Sequence, residues 1–391
     1  MFRPRTRAKA GSAGSSGSPW QQYVPGRSSM RSAHPILVLS LIQLLSAGAA
    51  GCTKDEDCSL NGLCTGGACA CDKPWRGPAC GELDFLPSPA APVYGGASNA
   101  TLNYSTWGGN PVLANDTYHL FVARVPGTLA MWYKTSQIDR ATSRSITGPY
   151  TYAATALPVF AHNPQIVHQT FRNGSERFVL FHIGQGGIHA AESPEGPFLP
   201  VAPANWSCDN PAPYWDAAEE TWYLTCRTKK NGLRTAKHLA GPWTQIGLAP
   251  PEPPAGPDTW CEDPYLYRDA RRGHWHALFH AVNLEQLTDC GAGATSAHAF
   301  SRDLQTWGTL PTYVQPYSSR VALEDGTSRT LASVERPKFF FDGQGTPTHL
   351  FNGAANVPQC GGNTSDGKRP NSCSDCKYVD HTNTIVRPLN V

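Results

Sequence analysis

Five times along this chain a polar residue or pair precedes a proline, and a stretch with the pattern of a strand hairpin follows. The starts are Asn110-Pro111, Asn163-Pro164, Asn210-Pro211, Glu262-Asp263-Pro264 and Glu335-Arg336-Pro337. Units recurring at intervals of about 50 to 70 residues are the signature of a repeat architecture. After Pro264 come Tyr265-Leu266-Tyr267, a polar turn at Asp269 to Gly273, and Trp275 to Phe279. After Pro337 come Phe339 to Phe341, the turn Asp342 to Gly345, and Thr348 to Phe351. Aromatic and β-branched runs broken by Asn, Asp and Gly are hairpin signals. A second marker follows in order: Gly148-Pro149-Tyr150, Gly196-Pro197-Phe198, Gly241-Pro242-Trp243 and, in the fourth unit, Asp303 to Trp307. The unit is all strand and turn, as in a propeller blade. The fold class expected is therefore all-β, a five-bladed β-propeller over residues 101–391, with a large irregular β sandwich as the alternative. The five prolines then mark inner strands, and Glu262, Glu335, Asp263 and Asp209 gather near one axis.

Composition suits many tight turns between short strands: 37 Gly, 34 Pro and 10% aromatic residues. A net charge of +2 gives no reason to expect a nucleic acid or an acidic partner. Near the N-terminus, Ile36 to Leu45 is apolar and is followed by small residues, Ser46 to Gly51. This is the pattern of a secretory signal and too short for a comfortable membrane span. Residues 1–50 are thus expected to be lead and signal peptide, with Met30-Arg31 as the true start. The protein is expected to be secreted or lumenal, with no membrane attachment after cleavage. A retained signal anchor, in a Golgi or surface protein, is the alternative. Six sequons, at Asn99, Asn103, Asn115, Asn173, Asn205 and Asn363, fit that compartment. Residues 82–100 are rich in Pro and Ala and are expected to form a linker. His381 to Leu389 alternates like a strand and is the expected clasp, lent to the opposite end of the propeller.

The cysteines Cys52, Cys58, Cys64, Cys69, Cys71 and Cys80, with Pro74-Trp75-Arg76-Gly77-Pro78 before the last, resemble an EGF-like module over residues 51–81. The resemblance implies pairing of Cys52–Cys64, Cys58–Cys69 and Cys71–Cys80, and a possible protein partner for the module. Ala49, Ala50 and Gly51 stand where the calcium-binding variety has acids, so no calcium is expected. So small a module has almost no core and needs crosslinks. Cys208 with Cys226 and Cys261 with Cys290 are expected to staple the third and fourth blades. Cys360 pairs with either Cys373 or Cys376, which leaves one thiol over. Cys373-x-x-Cys376 with His381 is readable as a metal clip, but no second pair lies near it.

The propeller has a resemblance of its own. Five blades, a polar–proline step on each inner strand and an acid two residues before the fourth proline resemble the five-bladed glycoside hydrolases. These form the family 43/32 superfamily of arabinanases, xylosidases, invertases and levansucrases. The stretch from Glu262-Asp263-Pro264 to His280, Ser301-Arg302-Asp303, and Glu335-Arg336-Pro337 through Asn352-Gly353 resemble its eukaryotic branch. The resemblance implies three carboxylates, on the first, third and fourth blades. Mapped by blade they fall on Asn110, Asn210 and Glu262, of which only Glu262 is an acid. Glycosidic cleavage needs one carboxylic acid to protonate the leaving oxygen and one carboxylate as base or nucleophile, and an Asn supplies neither. Glu262 is the expected general acid. Glu335, at the same offset from its proline, and Asp209, beside Asn210, are the candidate partners. Glu335 and Arg336 forming a structural ion pair is the alternative.

Asp263 is expected to orient a sugar hydroxyl or to bind Arg336. Trp107 and Trp260, beside the polar–proline steps, are placed to stack on sugar rings. With Asn110, Asn163, Asn210, Arg336 and His298 they complete the expected substrate-binding set. His274, His276 and His280 alternate on one strand face, which permits a metal site. The expectation is nonetheless no metal and no cofactor, because polar strand faces commonly carry hydrogen-bonded imidazoles. Carbohydrate is the expected ligand. A glycosidase and a glycan-binding propeller without turnover both remain open.

Overall fold

The computed structural model describes residues 51–95, 104–127, 129–184, 186–202, 206–227, 232–250, 259–283, 294–311, 314–331, 333–355 and 382–391. Five antiparallel sheets follow one another, each a meander running outward from its first strand. Blade one is Tyr104–Ala114, Thr117–Pro126, Gln137–Ser143 and Thr151–Leu157. Blade two is Ala161–Thr170, Glu176–Gly184, Ile188–Ala191 and Leu199–Pro200. Blade three is Ala212–Asp216, Thr221–Thr225, Leu233–Ala236 and Thr244–Gly247. Blade four is Thr259–Arg268, Trp275–Asn283, Ala294–Ser301 and Trp307–Thr309. Blade five is Ser333–Phe341, Pro347–Ala355 and Asn383–Pro388. Each inner strand touches those of the neighbouring blades, the fifth meeting the first, so the ring closes. The expected five-bladed propeller is what the chain forms.

Each expected hairpin is present, and the second marker introduces the outer strand. Tyr150 and Phe198 are buried there, and the Gly–Pro bonds before them and before Trp243 are cis. Cores lie between blades. Val112, Phe121, Ile166, Phe178 and Phe198 fill the space between blades one and two. Trp215, Trp222 and Leu224 meet Val179 and Phe181 between blades two and three. Trp222 and Trp275 are core residues, as their position inside blades implies. The described sequons, Asn115 and Asn173, sit exposed on hairpin turns. The other four lie outside the described residues.

The C-terminal strand is not lent to the first blade. Asn383–Pro388 pairs with Pro347–Ala355 as the third strand of its own blade. Its outer edge is covered by the segment expected to be a linker. Phe85 bridges Leu389 and Tyr94 bridges Thr384, both antiparallel. The Leu86 amide donates to Pro388 and that of Val93 to Thr384. Strand edges left unpaired recruit other strands, and Pro and Ala in the sequence did not reveal that an edge was waiting here. Residues 85–94 therefore act as a strap that covers the outer edge of the three-stranded blade five through isolated bridges.

The module and the propeller belong to one compact unit, residues 49–391. The three disulfides implied for the module are formed, Cys52–Cys64, Cys58–Cys69 and Cys71–Cys80. Cys208–Cys226 staples the third blade. Cys261 is buried, while Cys290, Cys360, Cys373 and Cys376 lie outside the described residues. Among those residues, no helix is long and apolar enough to cross a membrane.

Candidate functional site

The site is built from one backbone irregularity that recurs around the ring. In blades one, two, four and five the inner strand slips register against its neighbour where the polar–proline step lies. The residue before the proline takes a left-handed conformation: Asn163 (φ 60°), Asn210 (φ 48°), Asp263 (φ 58°) and Arg336 (φ 59°). That conformation costs an ordinary residue about 1–2 kcal/mol. Asn and Asp visit it most readily, and the proline that follows fixes its own φ.

Blade one reaches the same shape with glycines. There the slip falls between Trp107 and Asn110, and Gly108 (φ 62°) and Gly109 (φ 91°) occupy it. A Cβ on Gly109 would lie 2.1 Å from the Phe121 carbonyl oxygen, so no other residue fits. Asn110-Pro111 consequently sits two residues past the structural counterpart of Asp263-Pro264. The position of Glu262 is held in blade one by Trp107 and that of Asp263 by Gly108. The mapping of a missing acid onto Asn110 is corrected accordingly. Asn110 instead clamps blade one to blade two: its Nδ2 donates to the Ile166 carbonyl and its Oδ1 accepts from the Ile166 amide, both at 3.0 Å. Gln165, its counterpart in blade two, donates to the Pro213 carbonyl at 3.1 Å.

The left-handed residues form a ring on the axis. Asn163 Nδ2 donates to Asn210 Oδ1 at 2.7 Å. Asn210 Nδ2 donates to Asp263 Oδ1 at 2.7 Å. The Arg336 guanidinium donates to the same oxygen. Gly108 closes the circle, since a Cβ there would meet Arg336 Cβ at 3.0 Å and Asn163 Oδ1 at 3.5 Å. Of the two roles expected for Asp263, the structure shows the bond to Arg336.

Regular strands send adjacent residues to opposite faces. At the slip this fails, and Glu262 and Asp263 both approach His280, which lies opposite Glu262 on the next strand. His280 Nδ1 is 3.6 Å from Glu262 Oε1, 3.9 Å from Asp263 Oδ2 and 3.7 Å from Glu335 Oε2. Three carboxylates from two blades therefore surround one imidazole. Asp263 and Glu335 are 0% and 2% exposed at their side chains, whereas Glu262 is 14% exposed. Arg227 of blade three, partly exposed, reaches Glu262 Oε2 at 3.4 Å. Ser333 donates its hydroxyl to Glu335, and Asn352 Nδ2 donates to the Glu335 carbonyl at 3.1 Å.

Burial pushes the Asp263 carboxyl up to about 6, against the pull of Arg336, and Glu262 and Glu335 push it the same way. Burial brings the nearby Lys338 amine down to about 7, opposed by the Asp263 charge. Asp263 Oδ2 and His280 Nδ1 are buried with no hydrogen-bond partner. The donor atoms of Glu262, Asp263, His280 and Glu335 all lie within 4.8 Å of one another. An oxygen-rich set with one imidazole could hold a divalent cation, a grouping not foreseen in the expectation of a metal-free site.

The other expected residues are placed as follows. Asp209 is exposed and contributes its carbonyl to the Arg227 amide. Asn163 and Asn210 belong to the axial ring. Trp107 is 1% exposed and packs with Ala123, Val125 and Leu129, so it is core and not a stacking platform. His298 is buried and stacks between Trp75 and His276, away from the carboxylates. The side chain of Trp260 lies outside the described residues. His274 and His276 face the module, and only His280 of that strand enters the site. Arg227 and Lys338 were not foreseen. Cross-strand pairing of Glu262 with the last histidine of the following hairpin was the available signal for His280.

Residues 55–82 match the family model of a Teneurin-like EGF domain. No curated protein sequence matches the chain. Among solved structures, a GH62 hydrolase in complex with xylotriose aligns with a TM-score of 0.54 at 11% identity, over 78% of this chain and 98% of that one. The catalytic domain of a GH62 α-L-arabinofuranosidase from Coprinopsis cinerea aligns with a TM-score of 0.53 at 11% identity, over 78% and 98%. A thermostable family-43 glycoside hydrolase aligns with a TM-score of 0.50 at 10% identity, over 78% and 93%. At such identities the likeness concerns the fold. The chain joins an EGF-like module to a five-bladed β-propeller whose fold is that of glycoside hydrolases of families 43 and 62.

Proposed function

We propose that this is a secreted glycoside-hydrolase-like protein that acts on or binds a carbohydrate at the mouth of the propeller, with Glu262 as general acid. The observation that carries the reading is the convergence of Glu262 and Glu335 on His280, with Glu262 the carboxylate nearest solvent. Glu262 would give its proton to the departing glycosidic oxygen as the bond to the anomeric carbon breaks, and Glu335, as the second carboxylate, would form the new bond to that carbon, which water then replaces. Their nearest donor oxygens, within 4.8 Å, are closer to the spacing of about 5–5.5 Å found in retaining enzymes than to the wider inverting gap. The similar folds include an α-L-arabinofuranosidase and a hydrolase solved with xylotriose, which supports a neutral plant-type glycan as ligand. The disulfide-rich module supports an oxidising compartment.

A binding protein without turnover is the second reading. It is favoured by the enclosure of Glu335 and by a glycine, Gly108, where the first blade would otherwise offer an acid to the axis. The deciding experiment is an assay on aryl glycosides and on plant and algal polysaccharides, with Glu262→Gln as control. Turnover lost by a factor of about 100 or more in that variant, with its fold intact, supports catalysis. Equal binding by both proteins without turnover leaves the second reading standing.

A further inference from the structure

The module is not tethered loosely to the propeller. It is clamped to blade four by arginines at the rim and, beneath them, by a column of stacked rings that includes two histidines. Trp75 of the module stacks on His298 with ring centres 5.1 Å apart. His298 stacks on His276 at 5.2 Å, and His276 on Tyr267 at 5.0 Å. His276 Nδ1 and His298 Nε2 share a hydrogen bond of 3.0 Å. One imidazole must donate and the other accept, so at least one of the two nitrogens is unprotonated. The remaining ring nitrogens, His276 Nε2 and His298 Nδ1, are buried without a partner. His274 stands at the rim, with Nε2 3.1 Å from Arg302 Nη1.

The column is faced by arginines that are paired with acids or carbonyls, Arg272 being the one that acts on His276. Arg272 binds Asp72 and the Leu60 carbonyl of the module. Arg302 binds Glu56 at 2.7 Å and lies 3.6 Å from Asp55. Arg271 donates to the Lys73 carbonyl at 2.9 Å. Asp269, in the turn that carries Arg271 and Arg272, is the acid on the propeller side. Tyr267 closes the far end of the column and is itself covered by Phe339 and Phe341 of blade five. A second positive charge on the stack would therefore face arginines already committed to the module, a buried nitrogen without an acceptor, and an aromatic wall.

We propose that the seam between the EGF-like module and blade four is an acid-operated release, held shut by neutral His276 and His298 and loosened when they take up protons. Burial keeps His276 well below the ordinary histidine range and brings His298 down to about 3; His274 is lowered more mildly. Once the seam opens, these imidazoles regain their ordinary value near 6.5. Closure is thus fully favoured above about pH 6.5 and is lost as pH falls. The opening constant rises up to about tenfold per pH unit for each imidazole that must charge. Glu56, held below its usual range chiefly by the hydrogen bond from Arg302, adds its effect only below about pH 4.5. The interval between those limits belongs to the histidines. The release is independent of whether Glu262 is catalytic.

The test is hydrogen exchange on the full chain between pH 7.5 and 4.5, corrected for intrinsic exchange rates. Protection should fall in peptides containing residues 55–83, 272–278 and 296–300, while blades one and two stay protected. His298→Phe, which keeps a stacked ring, should flatten the dependence by up to about tenfold per pH unit. Exchange at the seam that does not change with pH overturns the proposal, as does simultaneous loss of protection in all blades. Should His298→Phe fail to fold, the titration of the unaltered protein still decides. Arg302→Gln, which removes the ion pair to Glu56 at the rim and so weakens closure, should then raise the pH at which the seam opens.

Discussion

Blades four and five place acids where blades one and two place packing groups, although all four bend their inner strands in the same way. Glu262 and Glu335 stand immediately before the bend on one side of the axis. On the other side the same position holds Trp107, buried among Ala123, Val125 and Leu129, and His162, whose Nδ1 meets Ser136 Oγ at 2.8 Å beside the Trp132 ring. The bend is therefore a scaffold feature, and the chemistry has been placed on one half of it. A site that draws on two adjacent blades lies off the axis. The axial ring of Asn163, Asn210, Asp263 and Arg336 separates the two halves. Fold-level likeness could not show this asymmetry, since the five repeats have the same shape in either half.

Three substitutions can break or sharpen the contrast. The largest effect is expected for Asp263→Ala. It strands the Arg336 guanidinium, whose side chain is 12% exposed, and removes the acceptor of Asn210. Loss of one partner of a buried pair should cost about 3–5 kcal/mol in urea unfolding. A loss below 1 kcal/mol would mean that the ring does not hold the blades. Asn110→Asp comes next. If Asn110 is a clamp between blades, the change sets a carboxylate against the Ile166 carbonyl and should cost about 1–3 kcal/mol with no gain in turnover on any glycoside. A gain of activity would return Asn110 to the place of a lost catalytic acid and undo the two-residue shift. The smallest effect is expected for Gly108→Ala. The left-handed backbone and the 3.0 Å approach to Arg336 Cβ should together cost about 1–2 kcal/mol, measured by the same unfolding. An unchanged midpoint would argue that blade one does not share the bend.

Much of the fold could be read from the chain because each blade repeats a local cue. The residue before the proline must adopt a rare conformation, and the sequence supplies Asn or Asp at three of the four places where it does so. That cue also placed Glu262 and Glu335 together, since equal offsets from the bend put both at the mouth of the ring. Blade one misled because Gly108-Gly109 makes the bend without a proline, while Asn110-Pro111 imitates the motif two residues later. His280 was hidden for another reason. Its alternation with His274 and His276 is a property of one strand, but the carboxylates around it come from two blades, Glu262 and Asp263 from its own and Glu335 from blade five. The strap at residues 85–94 and the stack of Trp75 on His298 are likewise tertiary events, for which local composition carries no signal. The aromatic beside a polar–proline step proved ambiguous: Trp107 turned inward, where the small Gly353 leaves room for its ring.

The strap has a practical side. A recombinant propeller begun at the first strand of blade one would leave the last strand of blade five with a bare row of amides and carbonyls, open to pairing with a second molecule. The useful boundary for expression lies upstream of the module, because the residues that look expendable between the two parts are the seam by which the circle is sewn.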